Sequence, residues 1–206
     1  MPVRLSPVLW TLPLAFFLWL LSFSVPVGNF WLKLVLSASL LAVFGLGWSR
    51  NHWTTLFRFR RRHLWLGPLS AVVLYGIFWL GKEGSTLLFP FASKQISNVY
   101  LSKSQLDLKM IGLLLFFVMG PAEEIYWHGF VQRTLADRFG SAAGVFLTAA
   151  VYSLVHVVAL NLMLLAAAAV CGLFWGWLYQ REQSLVPVIL SHSIWDVLIF
   201  LIFPLS

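Results

Sequence analysis

The sequence predicts an all-α, polytopic transmembrane bundle of about seven spans. Hydrophobic residues fill 60% of the 206 positions and charged residues only 10%, whereas an ordinary soluble domain carries about 25% charge. Apolar runs recur at the length of a spanning helix, roughly 20 residues for a hydrocarbon core of about 30 Å. Six ionisable side chains, Glu123, Glu124, His128, His156, His192 and Asp196, are nevertheless set inside these runs. Such groups are costly at bilayer depth and ordinarily face a protein interior or a watery cavity, so they mark a functional site.

Hydropathy places the spans near residues 8–25, 30–48, 64–81, 108–132, 141–159, 161–179 and 185–203. The first follows Arg4 and ends near Ser22, Phe23 and Ser24, an outline it shares with a cleavable signal peptide. Its apolar stretch is long for that, and its removal would deprive the following basic loop of a two-span hairpin, so a retained anchor is expected. Arg50 and then Arg58, Arg60, Arg61 and Arg62 separate the second span from the third. Cytoplasmic loops are enriched in basic residues, which places this loop and the N-terminus inside. Threading onward puts Arg133, Arg138 and Arg181 on the same side, and Lys82, Lys94 and Lys103 in the outer segment with Lys109 near its end. The expected setting is a multi-pass protein of a prokaryotic plasma (inner) membrane, N-terminus cytoplasmic and C-terminus outside.

The net charge of +7 comes largely from these loops. Arg58, Arg60, Arg61 and Arg62 cluster where anionic headgroups would attract them, which argues for a lipid partner and against nucleic acid. Between Lys82 and Asp107 lies the one long break. It reads as a plain outer loop, as an amphipathic piece lying along the interface, or as a gate to a lateral opening. Cys171, the single cysteine, sits in an apolar run without a disulfide partner and reads as a small packing residue. No internal repeat, Gly-rich phosphate loop or Walker motif is present.

The chemistry begins at Gly120-Pro121-Ala122-Glu123-Glu124-Ile125-Tyr126-Trp127-His128. Adjacent residues on a helix point about 100° apart, so the two glutamates cannot share one job. Glu124 and His128, four residues apart, can pair on one face, which leaves Glu123 as the free carboxylate, suited to general-base work. A second site follows at Tyr152 and His156, an aromatic four residues before a histidine. The third is His192 and Asp196, at the same spacing, where the carboxylate can fix the imidazole's tautomer and orientation.

In order, spacing and intramembrane placement these three motifs resemble the CPBP family (CAAX protease and bacteriocin-processing enzymes, also called Abi proteins). Its pattern is Glu-Glu-x-x-x-Arg, then aromatic-x-x-x-His, then His-x-x-x-Asn or Asp. The resemblance covers roughly residues 108–200. It implies a glutamate-dependent intramembrane endopeptidase in a single membrane domain over 1–206, with anchoring spans in 1–81 and a catalytic core in 108–203. By position Glu123, His156, His192 and Asp196 take the catalytic places, with Glu124, His128 and Tyr152 in support. One departure stands out: His128 occupies the family's arginine position, so the pairing there depends on pH or the activity is altered.

The implied reaction uses Glu123 to take a proton from a water that His156 helps to place, while His192 donates to the developing oxyanion. An ionised Asp196 has no proton to give, so it is expected to orient His192, or to stay protonated if it meets the oxyanion itself. The substrate would be a membrane-associated or lipidated polypeptide tail. No cofactor is expected. A catalytic Zn²⁺ on Glu123, His156 and His192 is the metal-dependent alternative. Two other classes compete: a proton- or cation-coupled transporter using the same buried groups, and an inactive relative serving as a membrane chaperone or immunity factor.

Overall fold

A computed structural model describes residues 5–205; Arg4, on which the inward placement of the N-terminus partly rests, lies outside the described residues. The fold is all-helical. Helices α1 (Ser6–Ser24), α2 (Phe30–Ser49) and α3 (His63–Leu88) are followed by a short α4 (Ala92–Tyr100) and a long helical stretch α5 over residues 108–139. Helices α6 (Ser141–Val155), α7 (Leu162–Glu182) and α8 (Val186–Val197) complete the chain. The helices running through Ser6–Ser24, Phe30–Leu56, His63–Leu88, Ser141–Ala159 and Leu162–Glu182 are long and apolar enough to cross a membrane. With α5 and the shorter apolar Val186–Ile202 they make about seven spans, the architecture of an integral membrane protein.

Local sequence sets the helix starts. Asn29, Asp107 and Asn161 cap α2, α5 and α7, each side-chain oxygen accepting a backbone N–H of the first turn. Pro7 and Pro187 stand at the first turns of α1 and α8, where a missing N–H costs nothing. The break expected from residue 82 onward is shorter than its composition suggests. Helix α3 continues through Gly84 and Ser85 to Leu88, and stops just ahead of Pro90, whose ring disfavours helix in the residue before it. Helix α4 and a 3₁₀ turn over Leu101–Gln105 fill most of the remainder, so the amphipathic reading describes this segment and the plain loop does not.

Helix α5 overruns its expected end at 132 and reaches Phe139. Two π-helical stretches, Leu115–Met119 and Ile125–Gln132, flank the α-helical turn Gly120–Glu124. Such windings are rare and concentrate at functional sites. Helix α8 crosses α5 at Gly120, where an added Cβ would lie 2.5 Å from Ser193 Oγ and 3.0 Å from Ser193 N. Only glycine permits that approach, and it brings His192 onto the glutamate turn.

Around α5 the core is aromatic: Trp19, Trp31, Trp127, Trp175, Tyr126 and Phe130 are fully buried. Many other large apolar side chains, Trp10 and Leu36 among them, point outward as expected of a lipid-facing surface. On the arginine-rich side, Glu182 at the end of α7 is buried and holds Arg62 through Nε at 3.0 Å and a terminal nitrogen at 2.6 Å, with His63 Nε2 at 3.3 Å and Arg60 at 3.9 Å. Arg62 and Arg60 therefore turn toward the protein. A buried carboxylate requires a cation within reach. Arg58 and Arg61 stay exposed.

Candidate active site

Glu123, Tyr152, His156, His192 and Asp196 line one cavity of about 900 Å³, at the upper end of the range for small-molecule sites. Residues brought together from α5, α6 with its 3₁₀ extension, and α8 thus face one another across some 70 positions of sequence. Glu124 and His128 are buried behind the cavity wall and do not line it. The division of labour between the adjacent glutamates is therefore geometric: Glu123 faces the space and Glu124 faces the protein.

Glu123 is held by one oxygen. Tyr152 OH donates to Glu123 Oε2 at 2.7 Å, and the other oxygen takes no hydrogen bond from the described residues. Tyr152 is itself braced edge-on by Trp127, with ring centroids 5.3 Å apart. Glu124 Oε1 and His192 Nδ1 are hydrogen-bonded at 2.7 Å, whereas Glu124 Oε2 is buried without a hydrogen bond and lies 3.7 Å from His128 Nε2.

Both pairs at four-residue spacing lie at ion-pair distance, 3.7 Å for Glu124 with His128 and 3.6 Å for His192 with Asp196. The π winding over Ile125–Gln132 changes the turn between Glu124 and His128, and His128 Nδ1 meets Gln132 Oε1 at 2.6 Å, Gln132 in turn donating to Gly176 O at 2.8 Å. Asp196 Oδ2 is 3.6 Å from His192 Nε2, beyond hydrogen-bond reach, while Glu124 holds the opposite ring nitrogen. The imidazole of His192 also stacks on Trp175, with centroids 3.7 Å apart and planes 20° from parallel. The Glu124 carboxyl at one edge and the indole across the face together fix the orientation of the ring.

His156 is bound at both nitrogens. Its Nδ1–H donates to Tyr152 O at 2.8 Å, and its Nε2 accepts from Trp19 Nε1–H at 3.2 Å. A carbonyl can only accept, so the ring is the neutral Nδ1–H tautomer. Trp19 lies on α1, 137 positions away. The N-terminal spans are therefore more than anchors, since one of them supplies a side chain to the site. Trp19 and Trp175 were absent from the residues singled out by sequence, and their only signal was the abundance of tryptophan.

Both His156 nitrogens are engaged within the protein, and among the described residues no group of three His, Cys, Asp or Glu side chains is placed to hold an ion.

Residues 105–198 match the family model described as type II CAAX prenyl endopeptidase, Rce1-like. All six ionisable groups fall inside the matched segment, and α1–α4 precede it. No curated protein and no solved structure matches the chain.

Proposed function

We propose that this chain, Rce1-like over residues 105–198, is a glutamate-dependent intramembrane endopeptidase that hydrolyses a peptide bond in a membrane-associated polypeptide. The observation that carries the reading is the pairing of a carboxylate with one free oxygen, Glu123, and an imidazole held by a second carboxylate, His192, on one cavity wall.

A water beside Glu123 Oε1 has its proton acceptor in place, because Tyr152 fixes the carboxylate through Oε2. His156 Nε2 and Trp19 Nε1–H supply the complementary acceptor and donor. A water inserted between them accepts from the indole, donates one O–H to His156 and gives the other to Glu123. Loss of that second proton leaves hydroxide, which attacks the scissile carbonyl carbon.

The carbonyl oxygen then becomes an oxyanion. A single proton held in the bond between Glu124 Oε1 and His192 Nδ1 leaves Nε2–H for that oxygen, in a setting where a preorganised donor is worth far more than in water. Asp196, beside Nε2, can add a second donor only in its protonated form. Collapse of the tetrahedral species breaks the C–N bond, and the proton held by Glu123 passes to the leaving amine. Water is consumed and a new carboxyl and a new amine result, so nothing beyond substrate and water is required.

The test uses the purified chain in lipid nanodiscs with a substrate polypeptide. Cleavage that survives exhaustive chelation and is lost in Glu123→Gln is the expected result. Cleavage abolished by chelation and restored by Zn²⁺ would overturn the glutamate–water assignment.

A further inference from the structure

The cavity has a sidedness. Its exposed upper rim is formed by Phe89, Phe91, Lys94, Asn98 and Leu160, all near helix ends on the face opposite the arginine loop. Among the described residues no arginine lines it. Over this rim lies α4, pinned down by Gln95, whose carbonyl accepts from Asn161 Nδ2 at 2.8 Å and whose Oε1 accepts from Met163 N at 3.1 Å. Tyr100 OH fixes the other end of α4 to Ile199 O at 3.1 Å. The roof is thus fastened to α7 and to the end of the α8 span.

Beneath that roof the wall is open. Helix α3 packs on α8 and α7 packs on α6, while α3 and α7 meet only sparsely. Ile77 and Gly81 of α3 and Ala166 and Val170 of α7 line the cavity, and each keeps more than a third of its surface exposed. A Cβ added at Gly81 would meet nothing within 4 Å. The cavity therefore reaches the lipid-facing surface between two spans lined there by small and apolar side chains.

Eight described arginines lie on the closed face, and the five lysines, Lys33, Lys82, Lys94, Lys103 and Lys109, on the open one. Basic residues, and here every described arginine, accumulate on the cytoplasmic side of membrane proteins. We propose that the cavity is loaded sideways from the bilayer, through the gap between α3 and α7 under α4, in the half of the membrane that faces away from the cytoplasm. The substrate class that fits is a polypeptide itself embedded in the bilayer, whose scissile bond lies toward the outer face. The substrate clause rests on the peptidase reading above; the side and the gap do not.

The experiment therefore separates the three. In a Cys171→Ala background, intact cells are treated with a membrane-impermeant maleimide. Asn98→Cys is expected to be labelled and Arg61→Cys to be labelled only after permeabilisation; the reverse pattern overturns the assigned side. The gap is read on the native thiol, because Cys171 lines the cavity and is the only cysteine. A lipid-soluble maleimide should modify Cys171 several-fold more slowly in Gly81→Trp and in Ala166→Trp, and at the unaltered rate in Gly47→Trp, a position exposed elsewhere on α2. Unchanged rates in both gap variants overturn lateral entry, and neither readout involves proteolysis. Where Glu123→Gln leaves a membrane polypeptide uncut, the gap variants should leave the same polypeptide uncut. Full cleavage in both would overturn the substrate clause.

Discussion

Replacing Glu124 by Gln separates the roles of the two adjacent glutamates. In the structure Glu124 Oε1 binds His192 Nδ1 at 2.7 Å, and its other oxygen is buried without a hydrogen bond, 3.7 Å from His128 Nε2. A glutamine keeps the shape and can still accept from Nδ1–H through its amide oxygen. Its NH₂ would stand where Oε2 now lacks a partner, within reach of the neutral His128 ring. Folding stability should therefore change little. What disappears is the proton shared between the Glu124 carboxyl and Nδ1: once Nδ1–H points at an amide oxygen, Nε2 carries no proton to offer the oxyanion. Loss of one such donor costs about 10²–10³ in kcat, near 3–4 kcal/mol. The assay is steady-state cleavage in nanodiscs alongside thermal unfolding in the same lipid. A fall in kcat of that order, with KM and the unfolding midpoint near wild type, is expected. Cleavage within about threefold of wild type, less than 1 kcal/mol of barrier, would refute the assignment of His192 as a Glu124-supported donor.

Tyr152→Phe removes the O–H that holds Glu123 and leaves the ring that packs on Trp127. A hydrogen bond to a charged group contributes about 1.5–3 kcal/mol, so kcat/KM should drop roughly 10- to 150-fold, measured in the same cleavage assay. Trp19→Phe deletes the donor to His156 Nε2 and keeps an aromatic ring in place. The ¹⁵N resonances of His156 should lose the Nε2 hydrogen-bond shift while retaining the Nδ1–H tautomer, and an unaltered spectrum would contradict the contact. Gly120→Ala drives a methyl into Ser193 and should cost about 1–3 kcal/mol through overpacking, seen as a lower unfolding midpoint.

The helical architecture was legible because apolar runs, caps and prolines are local signals. Asn29, Asp107 and Asn161 start helices where their short polar side chains can reach first-turn amides. The six ionisable residues stood out because charge is rare in such runs, and the structure sets four of them on one cavity with Glu124 and His128 buried behind its wall. Their partners were less legible. Spacing of four residues suggested Glu124 with His128 and His192 with Asp196, yet the short bond joins Glu124 to His192 across 68 positions. Two physical effects account for this. The π stretches change the winding that an i,i+4 rule assumes, and the close crossing at Gly120 carries α8 onto the glutamate turn. Trp19 was invisible for a simpler reason: a tryptophan in a membrane helix carries no sign of which side chain its N–H will meet.

The central claim, that Glu123 activates water for peptide hydrolysis inside the bilayer, is tested most directly by comparing protein termini in membranes from cells carrying the wild-type chain and cells carrying Glu123→Gln, by mass spectrometry. The account predicts at least one new terminus, in a membrane polypeptide, that appears only with the wild-type chain while both proteins are folded at equal level. Identical termini in the two membranes would contradict it.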